Sequence, residues 1–157
     1  CAKGPPGRLY GVGGAARGLE CGTRRATGDI DAVFHPPTTV ADEAASMATD
    51  LGLPPGWLSA AAQAFIPLPD EDPVSLDVEG LQIAVSSAPN LLAMKMAAGR
   101  PQDFTDLVVL FRHLKIRSAE TAVGIAKRMY GEDSVVLSEP RESLRLLAEW
   151  VRARRPA

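Results

Sequence analysis

A chain of 157 residues with 46% hydrophobic and 23% charged residues is long enough to bury a core, which argues against a disordered or fibrous protein. Its formal net charge of −2 excludes binding of nucleic acid through bulk charge, so any contact with RNA must come from local clusters. No apolar run approaches the roughly 18 residues that a membrane span requires, and the two cysteines, Cys1 and Cys21, lack zinc-ligand spacing. We therefore expect one globular domain in a reducing, cytoplasmic setting, with no membrane partner.

Two short strands, joined by a helix and a polar loop, are predicted near the start of the chain. The predicted bounds are residues 9–12 for the first strand, 15–20 for the helix and 29–34 for the second strand. Side chains two apart in a strand point to the same side, so Asp29 and Asp31 are expected on one face. Ile30 and Val33 are expected to serve the core.

Two helices are predicted in the next part of the chain. Thr39 followed by Asp42 resembles a capping box with Asp in place of the usual Glu or Gln, so a helix is expected to begin there. Gly52 and Gly56 bound a proline-rich turn. Residues 57–65 are rich in alanine, which favours a second helix.

The sequence SLDVEGLQIAV predicts a β-hairpin with its turn at Glu79-Gly80. The predicted cross-strand pairs on one face are Val78 with Leu81 and Leu76 with Ile83. Asp77 and Gln82 are then expected on the opposite face. From Ser87 onward the pattern is helical, and the predicted helices cover residues 87–99, 101–114, 118–130 and 139–152.

The pair Asp29 and Asp31 is the strongest candidate for a metal site. Two neighbouring carboxylates repel each other, and a divalent cation that prefers oxygen ligands removes this repulsion. Gly13 and Gly14 fit the same chemistry, because glycine lets backbone amides approach a phosphate and the N-terminus of the following helix carries partial positive charge. The alternative is that the aspartates decorate a solvent-facing strand and the glycines form an ordinary turn.

Other charged residues have both a functional and a structural interpretation. Lys95 lies in a mostly apolar helix, where a lysine commonly extends its amine to solvent. Asp103 and Asp106 could be acidic residues stabilised by the dipole at a helix N-terminus. Arg24 and Arg25 are either solvated loop charges or contacts for triphosphate or RNA phosphates. Asp77 is either exposed or a further metal ligand, whereas His35 and His113 lack partners at any ligand spacing.

Three separated blocks contain these glycines, aspartates and the lysine. They read GGAA at 13–16, RRATGDIDAVF at 24–34 and LLAMKMAAGRPQDFTDLVVL at 91–110. In this order they resemble the minimal nucleotidyltransferases of the DNA polymerase β superfamily, in particular the bacterial toxins of the AbiEii and MenT type. The resemblance covers residues 9–114, and the helical tail is compatible with it.

The resemblance implies an α+β, polymerase-β-like fold, a small mixed sheet flanked by helices, with residues 9–114 as the core and 115–157 as a helical extension. It also implies transfer of a nucleoside monophosphate from a nucleoside triphosphate to an acceptor. The expected acceptor is RNA, such as a tRNA 3′ end, and an antitoxin protein is a possible partner. A protein hydroxyl or a small molecule is an alternative acceptor.

Site residues follow from the resemblance by position. The implied roles are metal ligands at Asp29 and Asp31 for Mg²⁺, nucleotide binding by Gly13, Gly14, Arg25, Thr27 and Lys95, and catalysis by Asp29, Asp31, Lys95 and Asp106. Arg100 and Asp103 match the same conserved segment, and Asp77, Asp103 and Asp106 remain alternatives for a third metal ligand. Asp106 would either orient the acceptor or fix Lys95 in place.

The sequence also departs from the family pattern. Ala15 and Ala16 stand where many relatives carry Ser or Thr, so no side-chain hydroxyl reaches the phosphates there. The chain opens with Cys1 rather than Met and lacks the helix expected before Leu9, which predicts a fragment of a longer protein or an alternative start. These departures favour the alternative function, a catalytically inactive module with the same fold that binds a nucleotide or a partner protein.

Overall fold

The computed structural model describes residues 7–21, 28–67, 69–137 and 141–154. Within these residues the protein is of the α+β class, with a five-stranded mixed sheet and six α-helices. The chain divides into two compact units, of which unit 1 comprises Cys1–Ala64 with Asp72–Ser86, and unit 2 comprises Phe65–Glu71 with Ser87–Ala157. The boundary predicted after residue 114 therefore falls inside unit 2. None of the described helices is both long and apolar enough to cross a membrane.

Unit 1 is built on the sheet. Its strands are β1 (Gly7–Val12), β2 (Ile30–His35), β3 (Leu58–Ser59), β4 (Val74–Val78) and β5 (Leu81–Val85), and its helices are α1 (Gly13–Cys21) and α2 (Pro37–Leu51). The strand order is β3-β2-β1-β5-β4. The central strand β1 pairs antiparallel with β2 and parallel with β5, so β1 has a neighbour on each side. The strands β3 and β4 form the two edges.

The register of β1 assigns the side chains to the two faces of the sheet. Val12 lies opposite Asp31, and Tyr10 lies opposite Val33, so these four residues share one face. The prediction that Val33 faces the core together with Ile30 is therefore wrong, because residues three apart in a strand point to opposite sides. The buried residue of β2 is Ala32, which is 1% exposed.

Two predictions for the segment after β2 are also wrong. The helix α2 begins at Pro37, after an N-cap at Pro36 with no side-chain hydrogen bond, so Thr39 lies inside the first turn and caps nothing. Residues 57–65 do not form a helix but contain β3 and a 3-10 turn at Gln63–Phe65. The amide of Ile30 donates a hydrogen bond to the Trp57 carbonyl at 2.6 Å, and this pairing with β2 outweighs the helix propensity of alanine.

The predicted hairpin is confirmed. The strands β4 and β5 are antiparallel with the predicted pairs, and Gly80 in the turn has a φ of 83°. Asp77 lies opposite Gln82, on the face opposite to Leu76 and Ile83, as expected from the alternation.

Unit 2 is helical. Its helices are α3 (Ala88–Ala98), α4 (Phe104–His113), α5 (Ala119–Tyr130) and α6 (Arg141–Ala153), with a 3-10 turn at Pro101–Asp103 before α4. The predicted cap of α3 is confirmed, because the Ser87 hydroxyl accepts a hydrogen bond from the Asn90 amide. Gly99 ends α3 with a φ of 57°. The core of this unit contains the fully buried side chains Leu91, Leu92, Met96, Leu107, Leu110, Phe111 and Ile116.

Candidate functional site

The junction between β1 and α1 brings two of the predicted site residues together. Gly13 follows the last residue of β1 and has a φ of 74°, a left-handed conformation that side chains disfavour. A β-carbon built on Gly13 would lie 3.0 Å from Oδ2 of Asp31. A side chain at position 13 would therefore make an unusually tight contact with the Asp31 carboxylate, in addition to the strain of a positive φ.

Asp29 and Asp31 lie at the start of β2. The strand begins at Ile30, so Asp29 precedes the strand rather than opening it, which corrects the predicted boundary. Asp29 is exposed and Asp31 is half-buried. Asp31 lies between two neighbouring strands, opposite Val12 of β1 and beside Ser59 of β3. Pairing on both sides holds the backbone of Asp31 in place while Asp29 stays at the surface.

The two carboxylates suit a hard divalent cation that also binds a ligand. In the described part of the chain, no group of three or more His, Cys, Asp or Glu residues is placed to hold a metal ion. Mg²⁺ commonly takes one or two protein carboxylates and completes its coordination with water and substrate phosphates. Asp29 and Asp31 provide oxygen donors of this type and number, so the donor set fits Mg²⁺ bound together with a phosphate compound.

The N-terminus of α1 adds a second feature. This helix has nine residues and no acidic side chain in its first turn, which reads Gly13-Gly14-Ala15-Ala16. The first amides of an α-helix have no partner within the helix, and they carry partial positive charge. Gly14 lies in this first turn. Arg24, Arg25 and Thr27, which sequence analysis assigned to nucleotide or phosphate binding, lie outside the described residues.

Unit 2 contains a separate cluster of charged side chains around Lys95. The Lys95 amine lies 2.7 Å from Oδ1 of Asp103 and 2.8 Å from Oδ2 of Asp106. Arg100 binds the other oxygen of Asp103 at 2.8 Å through its Nε atom. The cluster therefore joins residues from α3, the 3-10 turn and α4, and it contains two cations and two anions.

Burial distinguishes this cluster from a surface ion pair. The side chain of Lys95 is 9% exposed and that of Asp103 is 6% exposed, whereas Arg100 is largely exposed. Lys95 does not extend its amine to solvent, so that interpretation is wrong. Asp103 makes no side-chain cap for α4. Asp106 binds the Lys95 amine, which is the arrangement expected if Asp106 fixes Lys95 in place. Buried charges are stable only when paired, and this pairing fixes the amine in one position.

Asp77 does not share a position with the Asp29 and Asp31 pair. Asp77 lies on the edge strand β4, and two strands, β5 and β1, separate it from β2. At about 4.8 Å per strand, this separation is roughly 14 Å across the sheet.

A groove of about 450 Å³ lies on the sheet face that carries Asp31. Its lining includes Arg8, Tyr10, His35, Gln82 and Ala84. Arg8 and Tyr10 were not among the site residues predicted from the sequence, and His35 had no partner at metal-ligand spacing. The sequence did contain a signal for Arg8 and Tyr10. In the strand RLYGV, side chains alternate between the two faces, so residues 8, 10 and 12 share one face of a strand that leads directly to Gly13.

The other face of the sheet lines a larger cavity of about 1020 Å³. Its lining is mostly apolar, with side chains such as Leu9, Ile83 and Met47, and its charged members are Glu43 and Glu79. Among the predicted site residues, neither Asp29 nor Asp31 lines this cavity. By its register in β2, Asp31 lies on the opposite face of the sheet.

No protein-family model, curated protein sequence or solved structure matches this chain.

Proposed function

We propose that this protein is a metal-dependent nucleotidyltransferase that moves a nucleoside monophosphate from a nucleoside triphosphate to an acceptor hydroxyl. The observation that carries the proposal is the close approach of Gly13 to Asp31, which places a glycine turn and a helix N-terminus beside one carboxylate of the aspartate pair. Phosphoryl-transfer sites commonly combine a helix N-terminus that binds phosphate with carboxylates that bind a divalent metal ion.

The triphosphate would bind at the N-terminus of α1. Its negative charge is attracted by the partial positive charge of the first-turn amides, and Gly13 and Gly14 leave the backbone accessible to phosphate oxygens. Asp29 and Asp31 would hold Mg²⁺. When bound, the metal would supply Lewis acidity to the phosphate oxygens and neutralise part of their charge.

In the proposed reaction, the acceptor hydroxyl oxygen forms a bond to the α-phosphorus of the triphosphate. The bond from the α-phosphorus to its bridging oxygen breaks, pyrophosphate leaves, and the hydroxyl proton passes to solvent. We propose RNA as the acceptor, with a tRNA 3′ end as the first example to test, and an antitoxin protein as a regulatory partner. The order strand, glycine turn, helix, strand with paired aspartates supports a polymerase-β-like fold for unit 1.

Lys95 is assigned a positioning role in this proposal. Contact with a phosphate would require its amine to leave two carboxylates at 2.7 and 2.8 Å, in a largely buried site. The geometry supports the alternative in which Asp106 fixes Lys95. The ion pairs then join α3 and α4 and stabilise unit 2, and Asp103 and Asp106 are already used as partners of a cation.

The test is incubation of the protein with Mg²⁺, total tRNA and each nucleoside triphosphate in turn, labelled on the α-phosphate. Transfer of label to RNA is expected for the wild type and is expected to be lost in Asp31→Asn. Asp77→Asn is a matched control, because it makes the same chemical change on the edge strand and should retain activity. Retained transfer in Asp31→Asn, with the protein folded, would contradict the proposed site.

A second candidate is a catalytically inactive module that binds a nucleoside triphosphate or a partner protein. The pairing of Lys95 favours this candidate. Lys95 is the only described lysine in the three blocks that carry the family resemblance, and its amine is already bound by two carboxylates rather than available to a phosphate. Binding of triphosphate with Mg²⁺, without transfer to RNA, protein or small-molecule hydroxyls, is the result expected from this candidate.

A further inference from the structure

The groove on the Asp31 face of the sheet is organised in two rows of side chains. The first row contains His35, Arg8 and Gln82, which lie side by side on β2, β1 and β5. The second row contains Val33, Tyr10 and Ala84 on the same three strands. Tyr10 is therefore flanked by two smaller side chains, and the groove of about 450 Å³ lies around it.

The groove lies on the same sheet face as Asp31, and its lining reaches Tyr10, Val33 and Ala84 but not Val12 or Asp31. Val12 lies directly opposite Asp31, and Tyr10 precedes Val12 by two residues on the same face of β1. Such diagonal neighbours in an antiparallel pair are about 7–8 Å apart. A ligand bound at Asp31 would therefore have to span one row of the sheet to reach Tyr10.

The side chains of the groove suit a nucleic acid strand. A tyrosine ring with small neighbours provides a surface on which a nucleobase can stack. Arg8 is exposed, and its guanidinium group is well suited to bind a phosphate through two hydrogen bonds. His35 and Gln82, both exposed, provide polar groups for the sugar and base edges.

The distance between Arg8 and Asp31 favours a polynucleotide over a free nucleotide as the ligand of the groove. Arg8 lies four residues before Val12, which is about 13 Å along an extended strand. A nucleoside triphosphate carries all its phosphates together, so those at the metal site cannot also reach Arg8. A polynucleotide carries one phosphate per nucleotide and therefore presents a further phosphate away from its reacting end.

We propose that this groove binds the single-stranded 3′ end of the RNA acceptor, with a base stacked on Tyr10 and a backbone phosphate bound by Arg8. The inference rests on the proposed function, which places the reaction at Asp29 and Asp31. It adds the path of the acceptor along β1, from Arg8 past Tyr10 to the carboxylate pair.

The experiment measures binding of a fluorescently labelled single-stranded RNA to the full chain by anisotropy, without nucleoside triphosphate. Loss of one stacked base in Tyr10→Ala is expected to weaken binding about 5-fold to 150-fold, whereas Tyr10→Phe should bind like the wild type. Arg8→Ala should weaken binding and reduce the slope of log affinity against log salt by about one. The matched controls are Phe65→Ala and Arg117→Ala, which remove an exposed aromatic and an exposed arginine elsewhere.

Several outcomes would overturn the inference. They are no RNA binding by the wild type, equal loss in the Phe65→Ala and Arg117→Ala controls, or normal RNA binding by folded Tyr10→Ala. Loss of triphosphate binding in Tyr10→Ala with RNA binding retained would assign the ring to the nucleotide instead. RNA binding that depends on Tyr10 and Arg8, without any transfer of label, would retain the groove as an RNA-binding site but reject the proposed function, and with it the role of the RNA as acceptor. Unchanged transfer of label to RNA by Tyr10→Ala would reject this inference and retain the proposed function.

Discussion

Gly13 and Asp31 approach each other so closely that a β-carbon on Gly13 would lie 3.0 Å from the Asp31 carboxylate oxygen Oδ2. The same glycine has a φ of 74°, so two separate constraints select glycine at this position. One is the left-handed backbone that turns the chain from β1 into α1, and the other is the space occupied by a carboxylate of the neighbouring strand. The turn and the candidate metal ligand are therefore parts of one structure.

Gly13→Ala is predicted to impair both stability and the proposed activity. A left-handed conformation costs a non-glycine residue about 1–2 kcal/mol, and the added methyl group would also displace Asp31. Urea denaturation should show a loss of at least this size. Gly124→Ala is the control, because Gly124 lies within α5 with nothing near the added carbon, and alanine should stabilise that helix by up to about 1 kcal/mol. Equal stability of Gly13→Ala and wild type would contradict this account of the turn.

Lys95→Met is predicted to destabilise the protein strongly. The substitution leaves the buried carboxylates of Asp103 and Asp106 without their shared cation. Removing one partner of a buried ion pair typically costs about 3–5 kcal/mol, which chemical denaturation would measure directly. A second substitution, Asp106→Asn, should recover part of the loss because it removes the negative charge of one of the two carboxylates that Lys95 binds.

Lys127→Met provides the comparison for Lys95→Met. Lys127 binds Glu132 at 2.8 Å, but the Glu132 side chain is 67% exposed. Surface ion pairs contribute about 0–1 kcal/mol, so this variant should remain close to wild type. Similar losses of stability in the two lysine variants would show that burial does not increase the contribution of the Lys95 ion pairs.

Tyr130 is predicted to make folding sensitive to alkaline pH. Burial raises the pKa of Tyr130 from 10.0 to about 12, and its hydroxyl donates a hydrogen bond to the Phe65 carbonyl. Because the unfolded state loses this proton first, the stabilising contribution of Tyr130 is fully present below pH 10.0 and is lost as the pH rises through the folded pKa. The stability difference between wild type and Tyr130→Phe should therefore shrink as the pH rises from about 9 to about 11.

Direct titration can check the same group. Tyr10→Phe leaves Tyr130 as the only tyrosine of the chain, so the ultraviolet absorbance of tyrosinate in this variant reports Tyr130 alone. Its midpoint should lie near 12 in the folded protein and return towards 10.0 in urea. A midpoint near 10.0 in both states would contradict the burial of the hydroxyl.

Ser87→Ala is predicted to destabilise α3 by about 1 kcal/mol, the usual effect of losing an N-cap side chain. The Ser87 hydroxyl accepts a hydrogen bond from the Asn90 amide, and the first amides of an α-helix have no carbonyl acceptor within the helix. Ser46→Ala is the matched control, since Ser46 lies in the interior of α2 and is exposed. Thermal unfolding of the two variants should separate capping from a general effect of losing a hydroxyl. If Ser46→Ala lost as much stability as Ser87→Ala, capping would not be the cause.

Local signals account for the parts of the fold that sequence analysis predicted correctly. The hairpin register follows from the turn at Gly80 and the alternation on either side of it, and the bounds of α3 follow from Ser87 and Gly99. Each of these features is decided by residues within a few positions of one another. The capping box at Thr39 failed although it is local, because Pro36 and Pro37 begin the helix two residues earlier.

The sequence by itself determined where the chemistry-bearing residues lie along the chain, including the Gly13-Gly14 turn and the Asp29 and Asp31 pair. Only the tertiary structure decided that Trp57 pairs with β2 instead of forming a helix, that Tyr10 and Asp31 share a sheet face, and that Lys95 is bound by two carboxylates. The physical reason is that these contacts join residues distant in the chain. Their free energy depends on packing and pairing partners that periodicity and propensity do not contain.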